Sequence, residues 1–413
     1  MKLRPPCLTL LLVFVSCAAT AQGQIYEWAY VNPNNPAQGV YQSSTLCPGG
    51  AGVSGVPNAD LSSIDLTQAY LVNGNLSNAN FSDTTLTNAD LQGQNVTYAS
   101  FNSANLTNAN FQGANLSNAY LGYATLTDAN LANATVASAY FGNTNLTSQQ
   151  LYSTASYQAG NLQNIYLTGN NLTGWNFAGQ NVTYASFNSA NLTNANFQGA
   201  NLSNAYLGYA TLTDANLANA NFQGANLSNA ILSDADLRGA IGVSGASLAS
   251  AGAVTNNTIL PAGTINGLNL AAGETLTVRN YAGNVPVTVL GQATFDPAAT
   301  LQIVLDGNPW GSTMSFASSI PVTIAGELDL ELAPGVNLAD LVGDTFRLFD
   351  WTGVRPTGQF NVELPAGQWD ISQLYTTGVV TLEAVPEPSS FVLLGIGAFS
   401  LLAYGWRKRS KAS

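Results

Sequence analysis

A large apolar side chain stands at every fifth position from Leu61 to Leu146, eighteen times without a gap, among them Phe81, Val96, Phe101 and Phe141. A second series runs from Leu162 to Leu237, sixteen positions in a shifted frame, including Phe177, Phe187 and Phe222. Only 46% of the chain is hydrophobic, so an unbroken series of this length is a pattern and not chance. Two residues before most centres stands Ala, as at Ala59, Ala69, Ala79 and Ala109. A large and a small apolar residue two apart point the same way in extended backbone. Five is neither the helical nor the strand period, so an amphipathic helix or a long strand cannot bury this pattern. A coil that turns every five residues can. Four pentads close a square and return the chain ~4.8 Å further along an axis. Asn and Asp precede many centres, as at Asp60, Asn75, Asn105 and Asn226, where their side chains can bond backbone at the corners.

These pentads resemble the pentapeptide-repeat family, and the resemblance implies a right-handed quadrilateral β-helix over residues 59–240. Eight or nine coils would give a rod of roughly 40 Å at that rise. The stretch from Gly93 to Ala134 recurs unchanged from Gly179 to Ala220, so the array has grown by duplication. The two frames meet across an insertion near 147–158. There Thr147-Ser148-Gln149-Gln150 matches a capping box that opens a short helix through Leu151 and Ala155. Ile165 and Trp175 stand where the array elsewhere has Ala, which predicts the least regular coil there.

The ends read as addresses. Lys2 and Arg4, an apolar run from Leu8 to Val15 and Ala19-Thr20-Ala21 form a secretory signal over residues 1–21, with lipidation at Cys17 as an alternative. Maturation would remove Cys7 and Cys17, leaving Cys47 as a lone thiol whose ordinary reading is burial. Residues 385–413 begin Val385-Pro386-Glu387-Pro388, continue uncharged from Phe391 to Trp406 and end in Arg407-Lys408-Arg409. That apolar stretch reads as a transmembrane helix with a basic cytoplasmic stop. The three parts in this order resemble the PEP-CTERM sorting signal. The resemblance implies an exosortase-type sorting enzyme as partner, anchoring in the inner membrane by the C-terminal helix before processing, and delivery to the cell surface or extracellular matrix.

Between these ends, residues 22–58 are expected to cap the first coil, since an open coil exposes unpaired strand edges. Residues 241–254, rich in Gly, Ser and Ala, read as a linker. Residues 255–384 change to alternating strands such as Thr275 to Arg279, Val285 to Leu290, Leu301 to Leu305, Val322 to Leu332, Thr345 to Phe349 and Val379 to Leu382. They predict a β-sandwich or an irregular β-solenoid, with Trp310, Trp351 and Trp369 as core anchors. The fold class is therefore all-β, with a C-terminal transmembrane helix.

Composition removes most chemistry. The chain has no histidine, which excludes imidazole catalysis and His-dependent metal or haem sites. No Lys or Arg occurs between Pro5 and Leu237, so a phosphate backbone finds nothing to hold. No cofactor and no nucleic-acid partner are expected. Glu327, Asp329 and Glu331 alternate along one strand face and form a weak calcium candidate against the commoner solvated face. The many Asn-Leu-Ser and Asn-Leu-Thr triplets are by-products of the pentad. Some pentapeptide-repeat proteins resemble duplex DNA and inhibit topoisomerases, but residues 59–240 carry only eight acids, too few to imitate a phosphate ladder.

The expected function is that of an exported, surface-sorted, non-enzymatic structural or adhesive protein of the envelope or extracellular matrix. An alternative is a binding face made of threonine. Steps of twenty from Thr67 reach Thr87, Thr107, Thr127 and Thr147, and Thr85 and Thr125 stand beside them. The second series repeats the file with Thr173, Thr193 and Thr213, joined by Thr211. A flat array of hydroxyls and methyls could dock on ice or on a polysaccharide surface. Thr also simply favours exposed strand positions, and Asp65, Asn105 and Asn145 interrupt the second file. The two files share one face only if the insertion adds six net residues, and not if it adds one or eleven.

Overall fold

One pentad shows why the period is five. Leu86 points inward, and the Ala89 amide donates to its carbonyl at 3.0 Å, closing a turn whose third residue, Asn88, has φ 57°. Positive φ at that place is what Asn and Gly supply at least cost. Asn78, Asp83, Gly93 and Ser103 repeat it at the same place in other pentads. The Leu86 amide donates to the Asn105 carbonyl at 2.8 Å, and the Asn105 amide donates to Thr84 at 3.0 Å. Coils are thereby joined as parallel bridges twenty residues apart, as from Thr85 to Asn105 to Thr125. Four turns fill each interval, so the coil is four-sided.

The computed structural model describes residues 24–384 apart from 32, 34–38, 52–54, 281–284 and 308. The signal, the Pro-Glu-Pro element and the expected transmembrane helix lie outside the described residues. No helix among the described residues is long and apolar enough to cross a membrane. The chain divides into two units. The first takes the residues up to Asn171 with Gln180–Ala190 and Leu202–Leu207; the second takes Leu172–Gly179, Asn191–Asn201 and the residues from Gly208 onward.

In the first unit, strands β1 (Gln24–Tyr30) and β2 (Val40–Ala51) pair antiparallel with two register shifts. β1 covers the open edge of the first coil. The Tyr70 amide donates to Tyr26 at 2.8 Å, and the Trp28 amide and Nε1 donate to Gln68 and Asn88 at 3.0 and 2.6 Å. Inside, the centres and their alanines are almost wholly buried. Phe81 lies on Phe101 with ring centroids 4.8 Å apart and planes 2° from parallel, which is the strand spacing itself. On the corners, amides climb from coil to coil, as where Asn95 Nδ2 donates to Asn75 and Asn130 Nδ2 to Asn110, both at 3.0 Å.

The insertion holds two helices, α1 (Ser148–Tyr152) and α2 (Ala155–Gln158), and not one. Thr147 and Gln150 make the expected capping box, and Leu151 is buried. Side chains replace the missing strand here. Gln150 Nε2 donates to the Leu126 and Ala129 carbonyls, and Ser156 Oγ accepts from the Val136 amide. Tyr140 then bridges to Tyr166, 26 residues on where other coils step 20, so the insertion adds six. The irregularity expected around Ile165 is absent. Regular turns resume at Asn161, and Ile165 is buried within them.

In the second unit the pentads likewise stack, with Phe177 on Phe197 at 4.8 Å. Trp175, at a position expected to disturb the coil, is buried and packs on Phe177. Residues 241–254 differ from a linker. They contain helix α3 (Gly245–Ser250), capped by Ser244, and Val254 bridges back to Ile231. The coil thus continues through a three-residue enlargement, and Ile259 pairs with Asp236.

Beyond it stand β3 (Thr264–Ile265), β4 (Leu268–Leu270), β5 (Thr275–Arg279), β6 (Val287–Val289), β7 (Ala293–Phe295), β8 (Thr300–Leu305), β9 (Met314–Phe316), β10 (Val322–Ile324) and β11 (Glu327–Leu332). β12 (Thr345–Arg347), β13 (Phe349–Asp350), β14 (Thr357–Gly358), β15 (Asn361–Glu363), β16 (Gln368–Asp370) and β17 (Val379–Glu383) follow. Three parallel sheets, β3-β6-β9-β13, β4-β7-β10-β14 and β5-β8-β11-β15, make this a β-solenoid and not a sandwich. An antiparallel sheet, β12-β17-β16, completes it. Trp351 stacks between Phe316 and Phe349 and donates Nε1 to Leu374 at 2.8 Å. Trp369 packs on Phe346, and Trp310 is half-buried against the same core.

Arg238, the lone cation of the repeat array, is fully buried. Its Nε donates to Asp236 Oδ1 at 2.9 Å and its Nη2 pairs with Oδ2 at 2.6 Å. Nη1 reaches Val285 and Ser312, and Nη2 also reaches the Arg279 carbonyl. One guanidinium thus ties the last pentads to the solenoid that follows. Arg238→Ala should destabilise by about 3–5 kcal/mol, because Asp236 is left buried and unpaired, and Arg238→Lys should not rescue it. Urea denaturation checks both. Phe101→Asp should cost roughly 4 kcal/mol or more in the same measurement, whereas Asn102→Asp, on an exposed residue whose Oδ1 accepts from Gly122, should be nearly silent. Equal losses would refute the inward and outward assignment.

Candidate functional site

The residue after each inward centre faces outward, and this builds the threonine files. In the first unit Gln68, Asn88 and Asn108 donate their amides to the carbonyls of Thr87, Thr107 and Thr127, so the file stacks coil on coil. The neighbouring file is bridged as Asp65, Thr85, Asn105 and Thr125. Several hydroxyls are already engaged. Thr67 donates to Asp65 Oδ1 at 2.6 Å and Thr107 to Asn105 Oδ1 at 2.7 Å, while Thr127 accepts from Asn145 Nδ2 at 2.8 Å. Thr147 is held in the capping box. In the second unit Thr193 donates to Asn191 at 2.7 Å, Asn191 bridges to Thr211, and the Thr173-to-Thr193 and Thr193-to-Thr213 steps stack through Gly174 and Asn194 amides. The residues that interrupt the second file are therefore the partners of the first. Thr67, Thr107 and Thr193 thus close corners.

The acidic strand carries a polar ladder. Asp329 Oδ2 accepts from Gln302 Nε2 at 3.2 Å, and Gln302 Oε1 accepts from Thr277 at 3.0 Å, a polar ladder across β11, β8 and β5. Glu327 lies opposite Asn361 and Glu331 is exposed. Among the described residues no group of three His, Cys, Asp or Glu side chains is placed to hold a metal ion. Cys47 is buried. Burial first, then the charges of Glu27 and Asp65, push its thiol up to about 12, which keeps it neutral and unreactive.

Two further features appear only in three dimensions. A cleft of about 420 Å³ in the first unit is lined by Trp28, Tyr30, Tyr70 and Asp90 among others, and burial raises the Asp90 carboxyl even though Gln92 and Asn110 donate to it. In the second unit Asp214 and Asp234 are raised to about 6 and about 7, chiefly by burial. Asn257 Nδ2 donates to Asp234 at 2.9 Å and Arg279 opposes the rise at Asp214, while Glu274 adds to both. The residues that sequence reasoning missed are tyrosines: Tyr120, Tyr140, Tyr166 and Tyr206 fall on one file, with Ser186 between the last two. The step of twenty from Tyr120 to Tyr140 was the available signal, hidden beyond Tyr140 by the unknown length of the insertion.

Four-sided coils of five-residue sides, capped at one end and grown by exact duplication, define a parallel β-solenoid whose outer face is chiefly amide, hydroxyl and phenol. The model for pentapeptide repeats matches in eight copies between residues 59 and 239, and the PEP-CTERM protein-sorting motif matches residues 384–410. The chain is a pentapeptide-repeat protein that carries a PEP-CTERM sorting motif. Among solved structures it is similar to HetL, a pentapeptide repeat protein involved in heterocyst differentiation regulation from the cyanobacterium Nostoc sp. strain PCC 7120. That match has 28% identity over 51% of this chain and 86% of that one, with a TM-score of 0.17. It is also similar to full-length QnrB1, a plasmid-mediated fluoroquinolone resistance protein (16% identity, 41% and 83% covered, TM-score 0.16). A third is a pentapeptide repeat protein of the Arabidopsis thaliana thylakoid lumen (21% identity, 43% and 71% covered, TM-score 0.09). No curated protein matches the chain.

The buried acids generate a pH dependence. A carboxyl raised to about 7 in the folded chain binds its proton there while the unfolded chain, at about 4, has lost it. Its contribution to stability is therefore full below about pH 4 and is lost as pH rises through about 7. Asp234→Asn keeps the acceptor for Asn257 and removes the charge. It should be more stable than the parent at pH 8, by on the order of 1 kcal/mol after solvent screening, and nearly equal to it at pH 4. Thermal unfolding at the two pH values checks this.

Proposed function

We propose that this chain is an exported, surface-sorted structural or adhesive protein of the envelope or extracellular matrix, without catalytic activity. The observation that carries the reading is the PEP-CTERM motif at residues 384–410, which supports export and sorting by an exosortase-type enzyme. Residues 391–406 would hold the precursor in the inner membrane until processing. Pentapeptide-repeat proteins are generally structural or binding proteins. The coils of this one are densely self-bonded, with buried centres, engaged corner side chains and a neutral thiol, which suits a durable scaffold. The threonine files serve that scaffold, since the hydroxyls of Thr67, Thr107 and Thr193 are donated to their own corners. An imitation of DNA gains nothing here: of the eight acids in residues 59–240, Asp90, Asp234 and Asp236 are buried.

Cell fractionation tests the reading. The parent chain should be found shortened and outside the inner membrane. A variant with Pro386→Ala, Glu387→Ala and Pro388→Ala should stay in the membrane fraction at precursor size. The same compartment and the same processed size for both would contradict the sorting claim.

A further inference from the structure

One corner of the first unit is lined with tyrosine. Along its middle, joined by parallel bridges from coil to coil, run Ser100, Tyr120, Tyr140, Tyr166, Ser186 and Tyr206. On the flanking turns stand Tyr98, Tyr123 and Tyr184, and Tyr123 is 67% exposed. Three observations set this corner apart from the remaining surface.

The first is how the rings lie. Tyr140 rests across Gly122 and Gly142, neither of which has the positive φ of a turn glycine. A Cβ on Gly142 would come 2.7 Å from Tyr140 Oη, and one on Gly122 would come 2.7 Å from its ring. These glycines make room for an aromatic ring against backbone. Tyr166 follows with its ring centroid 5.6 Å away and tilted by 37°. The second is strain. Tyr98, Tyr123 and Tyr184 sit at φ 58°, 60° and 57°, a region that bulky side chains seldom enter and that Asn, Gly, Asp or Ser fills in most other pentads. Their rings are exposed, so core packing does not offset the strain. The third is register. Tyr140 and Tyr166 lie outside the duplicated segments 93–134 and 179–220, so copying does not account for them. The six added residues are what bring Tyr140 opposite Tyr166 and keep the file unbroken.

The chemistry of the corner selects its partner. No Lys or Arg occurs from Pro5 to Leu237, so an anionic polymer meets no counter-charge. Between the rings lie hydroxyls and amides, such as Thr168 Oγ1 at 2.9 Å from Ser186 Oγ and the exposed Asn102. Phenol rings with an apolar face and a polar edge, one coil apart and framed by neutral hydrogen-bonding groups, match the C–H faces and hydroxyl rims of successive sugar rings. We propose that this tyrosine corner binds a neutral β-linked polysaccharide, with pyranose faces on the rings and sugar hydroxyls on the neighbouring amides. The proposal deepens the adhesive reading above and rests on it for access to an external glycan; fractionation tests export, whereas glycan binding tests the corner.

The test is co-sedimentation of the full-length chain, kept in a nonionic detergent lacking sugar head groups, with microcrystalline cellulose and with chitin at low and at high salt. The parent should sediment with at least one of them equally at both salt levels. Tyr120→Ala with Tyr166→Ala should weaken binding by about tenfold or more. Tyr98→Asn should raise the melting temperature by relieving left-handed strain while it weakens binding, a pair of opposite signs that misfolding cannot produce. Absence of binding to both glycans overturns the proposal, as does undiminished binding by the double variant. It is overturned as well if the double variant converts a dimer to a monomer in sedimentation velocity, which would assign the corner to self-association.

Discussion

The backbone bond between coils governs the rest of the molecule. In the regular coils an inward centre donates its amide to a carbonyl nineteen residues ahead, as Leu86 does to Asn105, and this works only if the chain turns after every fifth residue. The turn in turn needs one residue of positive φ per pentad, which is why Asn, Gly, Asp and Ser recur two places after the centre. Core, corner and coil spacing are thus one condition. The 4.8 Å between Phe81 and Phe101 is the spacing of the strands that carry them, and a side chain of another shape at either centre would disturb both coils.

Because backbone and core settle the fold, the outward positions are left free for other work, and they divide into two kinds. Asn75, Asn95, Asn105 and Asn110 spend their amides and carbonyls on the next coil or the next turn. The tyrosines do not follow that rule, and four of them, Tyr98, Tyr123, Tyr184 and Tyr209, occupy a turn position that disfavours them. Charge is treated with similar economy. The array's one cation is buried against Asp236, and burial pushes the nearby acids Asp214 and Asp234 toward neutrality.

Much of this was legible in the residues. The five-residue centres are the buried residues, and the Thr147–Gln150 capping box and the buried Cys47 stand where the pattern placed them. What escaped depended on distant partners. Val322 to Leu332 reads as one alternating strand, yet it is β10 and β11 joined at Gly326, where positive φ turns the corner beneath the Ala299 carbonyl. Alternation persists through such a corner, so periodicity alone does not show it. Residues 241–254 look like a linker because small residues also suit a tight extra loop, and only the Val254 to Ile231 pairing reveals a coil. Arg238 stood out by its charge, but its partners Val285 and Ser312 are 47 and 74 residues away. The tyrosine file crosses an insertion whose length effect, one, six or eleven, no local rule decides.

That register is the point on which coil, insertion and aromatic corner all depend, and thiol chemistry reads it directly. Neighbouring parallel strands lie ~4.8 Å apart, within the reach of a disulfide. In the full-length chain, Tyr140→Cys with Tyr166→Cys should lose both introduced thiols on mild oxidation, and Tyr140→Cys with Asn161→Cys, one pentad out of step, should keep them. Free thiols in the first pair and a bond in the second would show that the insertion does not add six residues and that the tyrosine file is broken.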